Sequence, residues 1–197
     1  MLKPMQEAEC SMGGYVKRCV VVIVIVFYAC VAFAQEVNME FFNDSKHGFS
    51  IAYPQGWQQE KIGGNYVCKV TTDRGANRKA IIITLDPSDA AGQPLDLYYD
   101  YLVKEIRMAG IIPGMKVLSI DKGYVNGYPA VRMKWIQLFP THTAVEEQRF
   151  IRRKTDLFVL ITRAAGETRD KALETYSNYE PLFNEIEKTF IIENPEK

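Results

Sequence analysis

The chain has 197 residues and a formal net charge of zero, because 24 Lys and Arg balance 24 Asp and Glu. This balance excludes an electrostatic nucleic-acid binder, which needs an excess of basic residues to neutralise phosphates. Apolar residues make up 47% of the chain and aromatic residues 12%. That content excludes a disordered chain, which lacks the apolar surface needed to offset chain entropy. The length predicts one domain of ordinary size.

The N-terminal segment has the pattern of a secretory signal peptide. Lys17 and Arg18 precede an uncharged apolar run over residues 19–33, and an A-x-A cleavage site follows at 32–34. We therefore predict a signal peptide over 1–34 and a mature domain over 35–197. The mature domain is then exported, to a periplasmic or other extracytoplasmic location.

Two alternatives to cleavage after Ala34 are open at this level. One is a lipoprotein cleaved before Cys30, although the preceding residues match the lipoprotein pattern poorly. The other is a retained membrane anchor, although the apolar run is shorter than the roughly 20 residues that span a bilayer. Met12 is an alternative start, because residues 1–11 make an unusually long and acidic leading segment.

Removal of the leader leaves Cys68 as the single cysteine of the mature domain, so an intrachain disulfide is not possible there. Cys68 lies in the alternating segment 66–70, and neither a His nor a cationic cluster is close in sequence. We predict a buried, inert thiol rather than a nucleophile, because nothing nearby would lower its pKa.

From residue 41 onward the sequence reads as short strands separated by turns. Alternation of apolar and polar residues predicts strands at 49–53, 66–72, 79–86, 115–125, 128–139, 145–154 and 156–162. Asn126-Gly127 is the strongest hairpin signal, because both residues accept the positive φ angles of a tight turn. Consecutive hairpins predict one antiparallel sheet of about six to eight strands.

Two helices are predicted to flank this sheet. Apolar residues at three- and four-residue spacing predict the first from Pro94 to Gly110, with its tyrosines on the face that packs against the sheet. The second is predicted from 168 to 190, with a kink or break before Pro181, because proline disrupts a helix interior. The predicted fold class is therefore a single α+β domain.

The sequence carries no signature of catalysis or metal binding. Its two histidines, His47 and His142, lie in predicted loops without a second ligand at metal-binding spacing. Nucleophile-elbow, phosphate-loop and dinucleotide motifs are also missing. We predict a protein that is not an enzyme and that uses no cofactor or metal.

Five residues are candidates for a partner or ligand surface: Trp57, Arg149, Arg152, Arg153 and Arg163. Arg149, Arg152 and Arg153 fall on one predicted hairpin with Lys154, and Arg163 and Arg169 are expected nearby. Together they suit an anionic ligand or a membrane headgroup. The alternative is a solvated strand face on which they pair with Glu146 and Glu147. Trp57 follows a turn at Gly56 and is either a ligand platform or an aromatic of the core or its rim.

Four aspartates collect around the start of the first helix, namely Asp86, Asp89, Asp96 and Asp100. Together they suit loose calcium binding, but their spacing fits no EF-hand loop. Aspartate near a helix N-terminus is already explained by capping and by the helix dipole.

Three segments of the chain resemble the PsbP-like superfamily, which includes bacterial DcrB-like exported proteins. They are 48–57 (GFSIAYPQGW), 126–130 (NGYPA) and 179–190 (YEPLFNEIEKTF), and their order and spacing extend over nearly all of 40–192. The resemblance implies an α/β/α sandwich in an exported protein that works by binding. It implies no ligand residues and no photosynthetic role.

The leading hypothesis is a non-catalytic exported binding or assembly module that contacts a protein partner in the cell envelope. One alternative is a carrier of a small apolar or lipid ligand, held in a pocket between the sheet and the first helix. A hydrolase that uses carboxylates such as Asp73 and Glu60 is a weaker alternative, because their spacing does not support it. Membrane association is expected only through an uncleaved leader or a lipidated Cys30.

Overall fold

The computed structural model describes residues 37–60, 66–72, 78–85, 93–109, 113–154 and 156–193, except for the side chains of 106–109. The predicted signal peptide lies outside these ranges. The candidate residues Cys30, Asp73, Asp86 and Asp89 lie outside them as well.

Within the described ranges the chain forms ten strands and two helices. The strands are β1 (Met39–Asp44), β2 (Phe49–Pro54), β3 (Gln58–Gln59), β4 (Tyr66–Thr71), β5 (Lys79–Leu85), β6 (Met115–Val125), β7 (Tyr128–Leu138), β8 (Thr143–Arg153), β9 (Asp156–Gly166) and β10 (Ile191–Ile192). The helices are α1 (Leu95–Ala109) and α2 (Arg169–Lys188). The fold is therefore α+β, as the sequence predicts.

The strands form two antiparallel sheets. The larger has the order β3-β4-β5-β9-β8-β7-β6, so its seven strands agree with the six to eight expected. The smaller has the order β1-β2-β10 and was not expected, because we predicted a single sheet. Strand β10 follows α2 and returns to pair with β2, a long-range pairing that no local pattern encodes.

The two helices pack on opposite faces of the seven-stranded sheet. Successive side chains of a strand point to opposite faces, so Phe158 and Leu160 of β9 join one core with Tyr176 of α2. Leu157, Val159 and Ile161 of β9 join a second core with Tyr98 of α1. These are called the α2 face and the α1 face below, and β2 packs on the α2 side.

Helix α2 is continuous through Pro181, so of the predicted kink or break before this residue the break is wrong. Thr168 caps the N-terminus, since its side chain accepts a hydrogen bond from the backbone N–H of Lys171 at 3.3 Å. Tyr176 and Phe183 are both fully buried, on either side of the proline. Their packing against the sheet outweighs the missing backbone hydrogen bond.

The predicted Asn126-Gly127 hairpin is confirmed, with φ angles of 47° and 82° at the two residues. Asn126 also binds the end of α2, because its Nδ2 donates to the carbonyl oxygens of Lys188 at 2.9 Å and Phe190 at 2.6 Å. Tyr128 Oη donates to the Ile192 carbonyl at 3.0 Å. This hairpin therefore fixes the chain segment that enters the small sheet.

The prediction of a buried, inert Cys68 is also confirmed. The side chain is only 2% exposed and belongs to the core of the α2 face. Burial, with a smaller contribution from the negative charge of Asp44, raises the pKa of the Cys68 thiol to about 12. The thiolate that nucleophilic chemistry needs is therefore disfavoured.

Candidate functional site

The four candidate arginines do not form one cluster, because they belong to opposite faces of the sheet. Arg149 aligns with Leu160 on the α2 face, and Arg153 lies four residues further along the same face. Arg152 aligns with Leu157 on the α1 face. Arg163 also lies on the α1 face, at the other end of β9. The expectation of a single basic surface is therefore corrected by strand alternation.

Arg149 is fully buried under α2 and is not available to a partner. Its Nε donates to Glu187 Oε2 of α2, and its Nη1 donates to Thr162 Oγ1 at 3.1 Å. Its Nη2 lies 3.2 Å from Glu147 Oε1. Arg149 is therefore a structural residue that joins strands β8 and β9 to helix α2, contrary to its assignment as a surface candidate.

Two further side chains complete this buried network. Tyr176 Oη of α2 donates to Glu147 Oε2 at 2.8 Å and is 3.1 Å from Thr162 Oγ1. Arg132 of β7 pairs with the other carboxylate oxygen of Glu187. Burial, reinforced by the Glu147 charge, raises the pKa of the Tyr176 hydroxyl. The network therefore holds a neutral tyrosine and balances two carboxylates with two guanidinium groups.

Arg153 also has a structural role, at the edge where the two sheets meet. Its Nη1 donates to the carbonyl oxygens of Gly48 at 3.1 Å and Glu193 at 3.2 Å. Its Nη2 donates to the His47 carbonyl at 3.1 Å and to Asp156 Oδ2 at 2.7 Å. These bonds connect the turn between β1 and β2 to the β8–β9 hairpin.

The structure separates Arg152 and Trp57 from the other candidates. The Nε and Nη2 atoms of Arg152 are buried and have no hydrogen-bond partner in the part of the chain described. Trp57 is partly buried and packs against the core of the α2 face, after a turn in which Gly56 has a φ of 86°. The position of Trp57 is that of an aromatic at the core margin.

Arg163 lies beside an exposed apolar loop, and together they form the candidate site. The guanidinium carbon of Arg163 is 5.0 Å from the Phe139 ring centroid, and Phe139 stacks on His142 with 4.6 Å between centroids. Phe139 is 38% exposed, whereas the preceding Leu138 belongs to β7 and follows Ile136 on the α2 face. We call Phe139, His142, Glu146 and Arg163 the Arg163 rim. It combines apolar contact area with a partly exposed cation.

Glu146 is the buried carboxylate of the Arg163 rim. It aligns with Arg163 across β8 and β9, and Gln148 donates a hydrogen bond to it at 2.8 Å. Burial raises the pKa of Glu146, against the opposing effects of the Gln148 hydrogen bond and the Arg163 charge. Desolvation of the carboxylate is therefore only partly compensated at this site.

A second polar cluster lies next to the rim on the same face of the sheet. Glu60 accepts hydrogen bonds from Lys69 Nζ at 2.6 Å and Thr71 Oγ1 at 2.9 Å, and it also pairs with Arg78. Glu60 is thus occupied by three donors and is not poised as the general base that the hydrolase alternative needs. Its hydrolase partner, Asp73, is outside the described ranges.

The calcium alternative has little support from the described aspartates. Asp96 pairs with Lys122, with 2.6 Å between Oδ1 and Nζ, and lies in the first turn of α1. In the described ranges no three His, Cys, Asp or Glu side chains are grouped so as to hold a metal ion. The helices of these ranges also include none that is long and apolar enough to cross a bilayer.

Sequence reasoning assigned Arg163 to the candidate set but did not single out Phe139. The available signal was the pair of apolar residues at the end of β7, immediately before Pro140 and a polar loop. An apolar pair at a strand end, next to such a loop, is often left exposed. The pairing of Arg163 with this loop depends on the register of three strands and has no local signal.

Comparison with known proteins identifies the fold. No protein-family model and no curated protein matches the chain. Among solved structures, a mutant of the protein Mog1 aligns with a TM-score of 0.54 at 13% identity, over 80% of this chain and 97% of Mog1. Cyanobacterial PsbP (CyanoP) from Synechocystis sp. PCC 6803 aligns with a TM-score of 0.51 at 13% identity, over 81% and 95% of the two chains. The domain has a PsbP-like fold.

A third neighbour with this PsbP-like fold comes from Mycobacterium tuberculosis. LpqN, described as involved in cell envelope biogenesis, aligns with a TM-score of 0.51 at 13% identity, over 84% of this chain and 96% of LpqN. Identities this low establish a shared fold alone. The shared fold agrees with the resemblance seen in the sequence.

Proposed function

We propose that this protein is an exported, non-catalytic binding module of the cell envelope, which contacts a protein partner through the Arg163 rim. The observation that carries the proposal is the partly exposed Phe139 ring, which stacks on His142 and lies beside the cation of Arg163. Aromatic and Arg side chains next to apolar surface are typical of binding hot spots. The signal-peptide pattern and the described involvement of LpqN in cell envelope biogenesis support the location.

Two other exposed faces fit this role less well. The solvent-facing side of α2 carries charged pairs such as Lys171 with Glu174 and Lys188 with Glu185. Pairs of this kind solubilise a helix and contribute little to binding. One edge strand of the large sheet is β6, which has Lys116, Lys122 and a bulge at Leu118. These features discourage pairing with another strand.

Site-specific photocrosslinking in cells tests the proposed surface. A photoreactive aromatic residue replaces Phe139 in the full chain, and a matched control carries it at Glu174, which is exposed on α2, the helix that covers the opposite face of the sheet. We expect the Phe139 position to form one reproducible adduct with an envelope protein, and the Glu174 position not to form it. Identical adduct patterns at the two positions, or no adduct at Phe139, would overturn the proposal.

Cell fractionation with N-terminal sequencing tests the export step separately. We expect the protein outside the cytoplasm, with a sequence that begins at Gln35. A lipid-modified Cys30 or an uncleaved leader would replace free export with membrane attachment. Recovery of the protein in the cytoplasm would overturn export itself.

A further inference from the structure

The guanidinium group of Arg163 differs in its hydrogen bonding from those of four other arginines. Arg149 and Arg153 donate to carboxylate, hydroxyl or carbonyl oxygens, and Arg132 and Arg78 pair closely with glutamates. Arg152 resembles Arg163 in lacking partners, but its Nε and Nη2 atoms are buried. The Arg163 side chain makes no hydrogen bond within the described ranges. Its ion pair with Glu146 spans 3.9 Å from Nε to Oε2, which is too long for one. Its N–H donors are therefore available to a ligand.

The same guanidinium is held in place and is reachable from solvent. Its side chain is 28% exposed, and its position over the Phe139 ring provides a cation–π contact. The stack of Phe139 on His142, with 13° between the ring planes, fixes the aromatic platform. An Arg that is already ordered loses less side-chain entropy when it binds, so it is a better anchor than a free one.

From these contacts we infer that Arg163 anchors a carboxylate of the partner, flanked by an apolar residue that packs on Phe139. This inference rests on the proposed function. The fork of an Arg guanidinium matches the two oxygens of a carboxylate. The partly exposed Phe139 ring lies directly beside it and provides the contact area for the flanking residue.

The charge of the site favours a carboxylate over a phosphate group. Arg163 is one cation, and the Glu146 carboxyl next to it offsets part of its field. A phosphate dianion would meet more repulsion there than a carboxylate monoanion. Burial already raises the pKa of Glu146. Protonating Glu146 when a second carboxylate approaches therefore costs less free energy than protonating an exposed glutamate.

A peptide titration followed by NMR tests the anchor directly. The probe is the dipeptide acetyl-Leu-Phe with a free carboxylate, and the matched control is acetyl-Leu-Phe-amide, added at millimolar concentration to the mature protein. We expect the carboxylate form to shift the Arg163 Nε–H signal and the amides of 138–146, with binding about tenfold tighter than for the amide, the factor for one charge-assisted hydrogen bond.

Two variants decide whether Arg163 is responsible. Arg163→Gln should reduce binding of the carboxylate peptide to the level of the amide peptide, while Arg169→Gln, at an exposed arginine in the first turn of α2, should not. Equal binding of the two peptides, no binding of either, or an unchanged difference in Arg163→Gln would overturn the inference. Circular dichroism of Arg163→Gln checks that the fold is retained.

The crosslinking assay separates this inference from the proposed function. We expect Arg163→Gln to abolish the adduct formed from the Phe139 position. An adduct that persists in this variant would reject the carboxylate anchor and leave the rim as the binding surface. Absence of the adduct in the otherwise unchanged protein would reject the proposed function, while the peptide titration still decides the anchor.

Discussion

The two faces of the seven-stranded sheet use the same residue type in different ways. On the α2 face, Arg149 is 0% exposed and contacts Glu187, Thr162 and Glu147. On the α1 face, Arg163 is partly exposed, and its ion pair is longer than a hydrogen bond. The two residues lie on neighbouring strands. The difference teaches that the covering helix, and not the strand sequence, decides whether an arginine is structural or free to bind.

The covering helix brings the counter-charge as well as the burial. Glu187 lies near the end of α2 and pairs with both Arg132 and Arg149. Because a buried charge without a partner is costly, the α2 face tolerates these arginines only in the presence of Glu187 and Glu147. The Arg163 rim has no such partner from a helix in the described ranges, so the donors of Arg163 face solvent.

The largest loss of folding stability is expected for Arg149→Met. This change leaves the buried Glu147 carboxylate without its cation and Glu187 with Arg132 as its remaining partner. Breaking a buried ion pair in this way typically costs about 3–5 kcal/mol. The free energy of unfolding, measured by urea denaturation, should fall by that amount. The matched control is Arg152→Met, since two of the Arg152 nitrogen atoms are buried without a hydrogen bond and their loss costs little. Equal destabilisation by the two changes would remove the contrast between the faces.

A smaller loss of folding stability is expected for Tyr176→Phe on the α2 face. The change removes the hydroxyl that donates to Glu147 and lies beside Thr162, which leaves a buried acceptor unsatisfied at a cost of about 1–3 kcal/mol. Urea denaturation measures this loss. Tyr179→Phe is the control, because the Tyr179 hydroxyl makes no hydrogen bond within the described ranges while its ring packs against Phe183. A loss in Tyr179→Phe as large as that in Tyr176→Phe would contradict the hydrogen-bonding account.

The sequence predicts the large sheet well, because its signals are local. Alternation of apolar and polar residues marks β6 and β7, and the Asn126-Gly127 pair fixes the turn between them. The smaller sheet is not predicted, since its central strand β2 pairs with a two-residue strand from the far end of the chain. Pairings of this kind depend on where α2 ends and not on the composition of either strand.

The candidate site is predicted only in part, for a related reason. Strand periodicity alone separates Arg152 from Arg149 and Arg153, because odd and even positions face opposite sides. It does not show which side is covered by α2. The partner of Arg149 is 38 residues away in sequence, at Glu187. A run of charged residues therefore indicated a solvated face, whereas the structure buries one member of that run completely.

On the α1 face, Glu146→Gln should change the pH dependence of stability. The pKa of Glu146 is raised in the folded state, so the folded protein binds more protons than the unfolded chain as the pH rises above 4.5. Stability then falls as the pH rises through this window, and the loss persists above the folded pKa. The variant lacks this loss. We therefore compare the free energy of unfolding of the variant with that of the unchanged protein. The difference, variant minus unchanged protein, should be larger at neutral pH than at a pH below 4.5.

Urea denaturation at these two pH values measures the change. Glu174→Gln, at an exposed glutamate on α2, is the control that should show little pH-dependent difference. If Glu146→Gln gave a difference from the unchanged protein that did not vary with pH, the buried carboxylate would not be the source of the effect.

The smallest effect on stability is expected for Arg163→Gln. Its ion pair is long and partly exposed, and exposed pairs of this kind contribute about 0–1 kcal/mol. The cation–π contact with Phe139 contributes a stabilising free energy of about the same size. The matched comparison is Arg149→Gln, the same substitution on the neighbouring strand, which should cost several times more in urea denaturation. A binding residue is expected to combine a small stability loss with a large loss of peptide affinity. If Arg163→Gln destabilised the fold as much as Arg149→Gln, Arg163 would be structural like Arg149, and loss of binding in this variant would reflect loss of the fold.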